Sequence, residues 1–269
     1  MKYTLVTGAS GGIGEALVKK LAARQHNLVL VARNAEKLAK ITKELQEQHG
    51  VQAAYIAADL AKPDAAFQIF AETQKHGWEI DILVNNAGIG SGGEFATLSL
   101  QSELDLLQLN NASLLAVTHL FLQPMRERKR GTIINIASMA AFMPVPYMAT
   151  YAASKAFVRS FTQALTQECI PCNIHVMLFA PGLTKTNFNE SAGINNEKGV
   201  GLSSDYQTAA TQTPEDVADE LLQALDANKQ FKISGSRNRL GARLATLLPN
   251  AMITRVMANS YRKKLGQSN

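Results

Sequence analysis

The chain has 269 residues, of which 46% are hydrophobic and 18% charged, and this composition predicts a folded core and excludes a largely disordered chain. Its two cysteines exclude a scaffold held together by disulfides. The formal net charge is +5, but no acidic residue follows Asp226, whereas nine basic residues do. The basic charge therefore belongs to the C-terminal part of the chain, and it gives no reason to expect that the rest binds nucleic acid.

Two segments bear on targeting. Met1 and Lys2 lead directly into an apolar run and then glycines, without the charged, apolar and cleavage regions of a secretion signal. The uncharged stretch 131–154 is long enough to cross a bilayer, but its glycine, asparagine and prolines favour a buried strand, a loop and a helix start. We therefore expect a soluble, cytoplasmic protein.

Short apolar runs alternate with longer amphipathic segments along the chain. The apolar runs predict seven buried strands, at Tyr3–Thr7, Leu28–Ala32, Ala53–Ala57, Ile82–Asn85, Thr132–Ala137, Ile174–Phe179 and Phe231–Ser234. The segments between them predict helices at Gly12–Arg24, Ala35–His49, Pro63–His76, Gln101–Arg128, Tyr151–Glu168 and Pro214–Ala227. This alternation predicts an α/β fold, a doubly wound parallel seven-stranded sheet with helices on both faces. We expect a single domain, residues 1–235, followed by a basic amphipathic C-terminal extension, residues 236–269.

A glycine-rich loop, residues 7–14, follows the first predicted strand and reads Thr-Gly-Ala-Ser-Gly-Gly-Ile-Gly. Glycines allow a tight turn and let the backbone approach a pyrophosphate, which sits on the N-terminus of the next helix. The spacing is not G-x-G-x-x-G, and a simple strand-to-helix turn is the alternative. The loop predicts a Rossmann-like dinucleotide site that includes Gly8, Ser10, Gly12, Ile13 and Gly14.

The end of the second predicted strand bears on the choice of cofactor. An NAD site places an acidic residue there to hold the ribose 2′-hydroxyl. Here the strand ends in Val-Ala and continues with Arg33 and Asn34, without an acid. A guanidinium binds a 2′-phosphate well, so Arg33 predicts NADP(H) as the cofactor. The alternative is a solvated arginine at the start of a helix.

Tyr151 and Lys155 lie four residues apart in a predicted helix, on one face. A neighbouring cation favours the phenolate and so lowers the pKa of a tyrosine from about 10 toward neutrality. Such a tyrosine can exchange a proton with a carbonyl oxygen. Ser138 follows a predicted strand thirteen residues earlier and can donate a hydrogen bond to the same oxygen. The pair alone arises by chance on many helices, so the context decides.

In that context the sequence resembles the short-chain dehydrogenase/reductase family, and the resemblance covers nearly the whole chain. The matching residues, in chain order, are the glycine loop, Asp59, Asn85 to Gly88, Asn110, Ser138, Tyr151, Lys155, Pro181, Gly182 and Thr186.

The resemblance implies a role for each of these residues. It implies that Tyr151 is the acid/base and that Ser138 polarises the carbonyl. It also implies that Lys155 binds the nicotinamide ribose and tunes the pKa of the tyrosine. It implies that Asn110, rather than the adjacent Asn111, holds a water of the proton relay. It places the remaining positions along the cofactor: Asp59 near the adenine, Asn86, Ala87 and Gly88 along the adenosine, and Pro181, Gly182 and Thr186 around the nicotinamide and pyrophosphate. Asp59 as a helix cap and Asn85 as an internal bond of the sheet are the alternatives.

The function predicted from these residues is an NADP(H)-dependent oxidoreductase. It transfers a hydride between the nicotinamide and a small-molecule carbonyl or secondary alcohol substrate. No metal is expected, because the five histidines are scattered. We also expect a homo-oligomer, a dimer or tetramer. The alternatives are a non-catalytic NADP-binding protein and a membrane-associated interaction protein on the same fold.

The C-terminal extension consists of two basic segments separated by Pro249. The first has an apolar face made of Leu240, Leu244, Leu247 and Leu248, and the second carries Ile253, Val256, Met257 and Tyr261. Such segments pack on the protein or a neighbouring subunit, or they lie on an anionic membrane; we favour packing. A weaker resemblance connects this tail to bacterial short-chain reductases of hydrophobic carbonyl substrates. The segment 187–212, rich in Asn, Gly and Ser, is expected to cover the substrate, with a plain loop as the alternative.

Overall fold

A parallel sheet of seven strands forms the centre of this computed structural model, which describes residues 1–186, 188, 211–247 and 249–264. The order across the sheet is β3-β2-β1-β4-β5-β6-β7, and all neighbouring strands are parallel. The strands are β1 (Lys2–Thr7), β2 (Leu28–Ala32), β3 (Ala53–Ala57), β4 (Glu79–Asn85), β5 (Gly131–Ile136), β6 (Ile174–Ala180) and β7 (Phe231–Ile233). This topology confirms the predicted doubly wound, Rossmann-like α/β fold.

Helices cover both faces of the sheet. They are α1 (Gly12–Ala23), α2 (Ala35–His49), α3 (Ala65–Lys75), α4 (Leu100–Leu107), α5 (Leu114–Glu127), α6 (Ala149–Cys169), α7 (Pro214–Asp226), α8 (Ser236–Leu247) and α9 (Asn250–Lys264). Helices α1, α2 and α7 pack on one face, and α3, α5 and α6 pack on the other. The inner strands are largely apolar because successive side chains enter opposite cores: in β2, Leu28 and Leu30 face the first core, and Val29 and Val31 the second.

The long helix predicted over Gln101–Arg128 is three consecutive helical segments. A π-helical turn, Gln108–Ser113, separates α4 from α5. A π-turn inserts an extra residue without breaking the run of apolar positions, so the sequence pattern did not reveal it. The π-turn contains Asn110, one of the residues matched to the family.

The C-terminal extension forms two helices that break at Pro249, as the sequence suggests. They pack on the domain through Ala242 and Tyr261, which are 3% and 8% exposed. Leu240 and Leu244, which packing was expected to cover, are instead 60% and 54% exposed. The opposite side of α8 faces the protein, so within one chain these leucines face solvent. Packing on a neighbouring subunit and contact with a membrane stay predictions for them. Leu248 and the side chain of Leu247 lie outside the described residues.

Among the described helices, none combines the length and the apolar composition that crossing a membrane requires. The segment predicted to cover the substrate lies outside the described residues, apart from Phe188, Thr211 and Gln212.

Candidate active site

The predicted site residues gather where β1, β4, β5 and β6 end, the edge at which parallel α/β sheets bind ligands. The glycine loop after β1 passes close to the end of β4. A Cβ atom on Gly14 would lie 2.2 Å from the carbonyl oxygen of Gly8, and one on Gly8 would lie 2.9 Å from Cα of Ala87. Gly8 and Gly12 also have φ angles of +67° and +52°, in the left-handed region. The loop can therefore keep this tight path only with glycine at these positions.

The N-terminus of α1 has no side-chain cap, because its N-cap residue is Gly11. The first backbone N–H groups of the helix, which start beside Ser10 and include Ile13, are thus available to an anion. Thr186 lies over the same turn, since a Cβ on Gly12 would stand 3.0 Å from its Cγ2. A pyrophosphate fits this combination of glycine backbone, uncapped amides and a hydroxyl-bearing residue.

We expect Gly14→Ala to lower the free energy of unfolding by about 1–3 kcal/mol, because its methyl group would collide with the Gly8 carbonyl. Gly11→Ala is the matched control, because its Cβ would meet no atom within 4 Å and its φ is extended. Urea denaturation without cofactor measures both. Equal stability of the two variants would contradict the close packing of the loop.

Thr7, at the end of β1, connects the glycine loop to the segment after β4. Its Oγ1 accepts hydrogen bonds from the backbone N–H groups of Asn86 and Ala87, both at 3.0 Å, and donates one to the carbonyl of Val84 at 3.3 Å. The Asn86 amide in turn donates to the carbonyl of Thr7 at 2.9 Å. Sequence reasoning assigned Thr7 no role, although its place between a strand and a glycine loop is a usable signal.

Arg33 and Asp59 lie at the ends of β2 and β3. Arg33 is exposed and precedes Asn34, whose side chain caps α2 by accepting a hydrogen bond from Lys37 N at 2.8 Å. Asp59 accepts one from Ala61 N at 3.1 Å, so it closes a local turn. This bond agrees in part with the alternative interpretation of Asp59, a helix cap. It leaves the second carboxylate oxygen for another donor.

The predicted catalytic residues are contributed by three elements. Ser138 is the second residue after β5, and its hydroxyl accepts a hydrogen bond from Ala140 N at 3.2 Å. Tyr151, in the first turn of α6, is 8% exposed. One helical turn later, Lys155 places its Nζ 5.9 Å from the centre of the tyrosine ring and donates to the carbonyl of Ile136 at 3.2 Å. The pair predicted from sequence spacing is therefore close in space.

Asn110 joins the same cluster. Its amide donates to the carbonyl of Ile89 at 2.9 Å and to Ser154 Oγ at 3.0 Å, and its Oδ1 accepts from Ile89 N at 2.9 Å. A Cβ on Gly88 would lie 3.1 Å from Asn110 Oδ1 and 3.3 Å from Lys155 Nζ. Gly88 thus lies against both polar groups.

The neighbouring asparagines have other partners. Asn111 donates to the backbone carbonyl of Ser154 at 2.8 Å, so Asn110 is the residue beside Gly88 and Lys155. Asn85 is buried and donates to Thr118 Oγ1 and Asn135 Oδ1 at 2.9 and 2.8 Å. Asn85 therefore has the role that was the alternative in the sequence analysis: it forms hydrogen bonds inside the sheet.

Burial lowers the pKa of the Lys155 ammonium from 10.5 to about 8. The unfolded chain keeps this proton up to about pH 10.5, whereas the folded chain releases it near pH 8. Between these values the unfolded state binds more protons, so stability should rise with pH. Below about pH 8 both states carry the charge, and its burial costs the folded state roughly 3 kcal/mol.

Lys155→Met therefore removes the free-energy cost of burying the ammonium, which depends on pH. We expect the stability of the wild type, measured relative to this variant without cofactor, to increase between pH 8 and pH 10.5. Denaturant unfolding across this range measures it. A difference that stays constant with pH would show that Lys155 is not desolvated.

The turn after β6 contacts the start of the C-terminal extension. Pro181 accepts a hydrogen bond from Met139 N at 3.0 Å, next to Ser138. A Cβ on Gly182 would lie 2.0 Å from Nδ2 of Asn238 in α8, which donates to the carbonyl of Ser234 at 2.9 Å. Sequence reasoning missed Asn238, because no local pattern connects residues so far apart in the chain.

Glu220 on α7 strengthens this junction. It accepts hydrogen bonds from Gly235 N and from the Gln212 amide, both at 2.9 Å, and pairs with Arg239 at 3.2 Å. Partial burial acts to raise the pKa of Glu220, but these hydrogen bonds and the charge of Lys232 outweigh it and hold the pKa below its usual value. The backbone of Gln212 in turn bonds to the turn that follows Gly182. The cofactor-side turn and the tail are thus held by one network.

A phenol beside a buried ammonium, a serine at a neighbouring strand end and an open glycine cradle together suit the chemistry of an oxidoreductase with a nicotinamide cofactor. The family model described as short chain dehydrogenase matches residues 2–197, and the chain belongs to this family.

Curated relatives carry more specific names. Hydroxysteroid dehydrogenase-like protein 1 of Gallus gallus is 32% identical over 216 residues, which are 79% of this chain and 65% of that protein. Very-long-chain 3-oxoacyl-CoA reductase of Mus musculus is 36% identical over 191 residues, 69% of this chain and 60% of that protein. The match thus spans less than two thirds of either relative.

Solved structures share the fold. A short-chain dehydrogenase from Sphingobium yanoikuyae, in complex with NADPH, is 29% identical with a TM-score of 0.79 and 87% of both chains covered. A 7beta-hydroxysteroid dehydrogenase is 27% identical with a TM-score of 0.83 and 96% of both chains covered. A family member from Burkholderia phymatum, in complex with NAD, is 22% identical with a TM-score of 0.80, covering 90% of this chain and 92% of that one.

Proposed function

We propose that this chain is an NADP(H)-dependent carbonyl reductase or alcohol dehydrogenase. The observation that carries the proposal is the meeting of Tyr151, Lys155, Asn110 and Gly88 beside Ser138 at the strand ends. A non-catalytic protein of the same fold would not need this set of residues together.

The chain's own residues supply the proton chemistry. In reduction, the Tyr151 hydroxyl gives a proton to the substrate oxygen; in oxidation, it takes the proton back. Ser138 donates a hydrogen bond to that oxygen and stabilises its developing charge. The Lys155 ammonium favours the phenolate of Tyr151, and Asn110 holds the water that returns the proton from solvent. The bound nicotinamide supplies or accepts the hydride at its C4.

The cofactor is held along the strand ends. Gly8, Ser10, Gly12, Ile13 and Gly14 bind the pyrophosphate through their backbone. The other contacts follow the family pattern: Asp59, Asn86, Ala87 and Gly88 on the adenosine side, and Tyr151, Lys155, Pro181, Gly182 and Thr186 on the nicotinamide side. The preference for NADP(H) rests on Arg33, which is exposed directly after β2 and has no acidic residue next to it in the sequence.

An apolar carbonyl compound is the proposed substrate. Val145, Tyr147 and Met148 form an apolar cluster with Ala152, the residue after Tyr151. The ring of Phe188 lies 5.5 Å from that of Tyr151. The names of the relatives, which refer to steroids and long-chain 3-oxoacyl thioesters, agree with this class.

Turnover of a substrate panel tests the function. Ketones, aldehydes and 3-oxoacyl thioesters, both apolar and water-soluble, are offered with NADPH, and its oxidation is followed at saturating concentration. We expect turnover of apolar ketones or thioesters. NADPH binding without turnover of any compound would instead support the non-catalytic alternative.

A homo-oligomer is part of the proposal. Leu104, Leu107, Leu115 and Phe157 are between 39% and 49% exposed and line one groove between α4, α5 and α6. An apolar surface of this kind on a folded domain typically binds another protein surface. Sedimentation of the wild type against Leu104→Asn tests it; a monomeric wild type would contradict it.

We propose a cytoplasmic location. Two cysteines in 269 residues are too few for the disulfide framework of a small secreted protein.

A further inference from the structure

The helix α8 has one side toward the protein and one toward solvent. Asn238 and Ala242 face the domain. Leu240 and Leu244, four residues apart and so on one face, lie on the other side and are 60% and 54% exposed. This apolar pair has no cover among the described residues.

The helix α9 repeats the arrangement. Tyr261 is buried, whereas Met252 and Val256, again four residues apart on the opposite face, are 50% and 66% exposed. Leu240, Leu244, Met252 and Val256 are called the outer tail face below. Two successive helices thus each expose an apolar pair.

Positive charge accompanies the outer tail face. The nine basic residues after Asp226 have no acidic residue among them. Arg237 and Arg255 are exposed and form no ion pair within the described part of the chain. Lys232 and Arg239 do pair, but with Glu220, at the root of the tail. The exposed apolar pairs are therefore flanked by cations.

We propose that the outer tail face binds the surface of an anionic lipid bilayer. Helices with exposed apolar residues and flanking cations lie in such surfaces, with the apolar side chains entering the acyl boundary and the cations near the headgroups. A second copy of the chain fits less well, because it would bring two tails of the same sign together.

The inner side of α9 connects this surface with the catalytic residues. Tyr261 and Met257 pack with Val145, Ala152 and Tyr147, in the cluster that adjoins Tyr151. A tail bound to lipid therefore brings the apolar cluster near the bilayer. Resting on the proposed function, the inference is that the apolar carbonyl substrate reaches the site from the membrane.

Vesicle flotation tests the binding. The full chain is mixed with vesicles of phosphatidylcholine and phosphatidylserine in equal parts, or of phosphatidylcholine alone, at low and high salt. We expect flotation only with the anionic vesicles at low salt, since salt screens the attraction. A wild type that does not float with anionic vesicles overturns the proposal.

Substitutions at exposed positions separate the apolar from the charged contribution. Leu240→Asn with Leu244→Asn should weaken vesicle binding about tenfold or more. Arg237→Gln with Arg255→Gln should weaken it roughly fivefold per charge and flatten the salt dependence. Matched controls are Leu100→Asn, 68% exposed on α4, and Lys40→Gln with Lys43→Gln on α2.

The outcomes are distinct. Variants of the outer tail face that float like the wild type overturn the proposal. A leucine variant that forms a smaller oligomer than the wild type in the absence of lipid also overturns it, because a second copy of the chain would then be the occupant of this face. For substrate delivery, an apolar ketone dissolved in the vesicles should lose kcat/KM about tenfold in the leucine variant, while a water-soluble ketone keeps it. Equal loss for both overturns delivery from the membrane. If no ketone, aldehyde or 3-oxoacyl thioester is reduced, the proposed function fails, and flotation still decides the binding.

Discussion

Tyr151→Phe is expected to lower kcat by roughly 10²- to 10⁴-fold while the Kd for NADPH stays close to that of the wild type. The hydroxyl alone carries the proton, and the ring keeps its packing beside Phe188 and Lys155. Stopped-flow reduction of a ketone measures kcat, and fluorescence titration measures NADPH binding.

Tyr55→Phe serves as the control, because Tyr55 is an exposed tyrosine on β3, at the edge of the sheet. It should leave both quantities unchanged. A Tyr151→Phe enzyme with near-native kcat would show that another group transfers the proton.

Arg33→Asp is expected to reverse the cofactor preference from NADPH toward NADH. The substitution removes a charge-assisted contact to the 2′-phosphate and introduces a carboxylate that repels the phosphate and can hold a ribose 2′-hydroxyl instead. Together these effects should lower the NADPH/NADH ratio of kcat/KM by about a hundredfold or more, equivalent to roughly 3 kcal/mol.

Arg126→Asp makes the same change of charge on α5, near the start of β5 and away from the strand ends that form the site. It separates the local contact from a general effect of protein charge. If both variants change the ratio equally, or if neither does, Arg33 does not bind the 2′-phosphate.

The fold was predictable because its signals are local. The inner strands are largely apolar, since both of their faces are buried, and the predicted limits of all seven strands differ from the observed ones by three residues at most. The largest such difference is at β4, whose first residues, Glu79 and Asp81, are polar and pair with Arg130. Charged residues at the surface end of a strand do not fit the apolar pattern that predicts strands, so the strand is predicted too short.

The site was predictable where chemically suitable residue types occur at a spacing that determines their distance in the fold. Tyr151 and Lys155 share a helix, so their separation in the sequence determines their separation in space. The contact of Asn238 with Gly182 and the bond of Gln212 to Glu220 join separate elements, and nothing in the sequence around either residue indicates its partner. Such contacts depend on tertiary packing, which periodicity does not describe.

The position of Asn110 depends on the number of residues in the π-turn at Gln108–Ser113 as well as on the side chains around it. The turn absorbs its extra residue by widening locally, and α5 is anchored in the core by Val117 and Phe121. Deleting one residue of the turn would restore an unbroken α-helix with α4 and α5 nearly in phase, but the residues of the turn itself would lose the orientation that the wider turn gives them. Asn110 would then turn away from Gly88 and Lys155. A single-codon deletion in this helix would therefore remove the asparagine from the site without changing any residue named as catalytic.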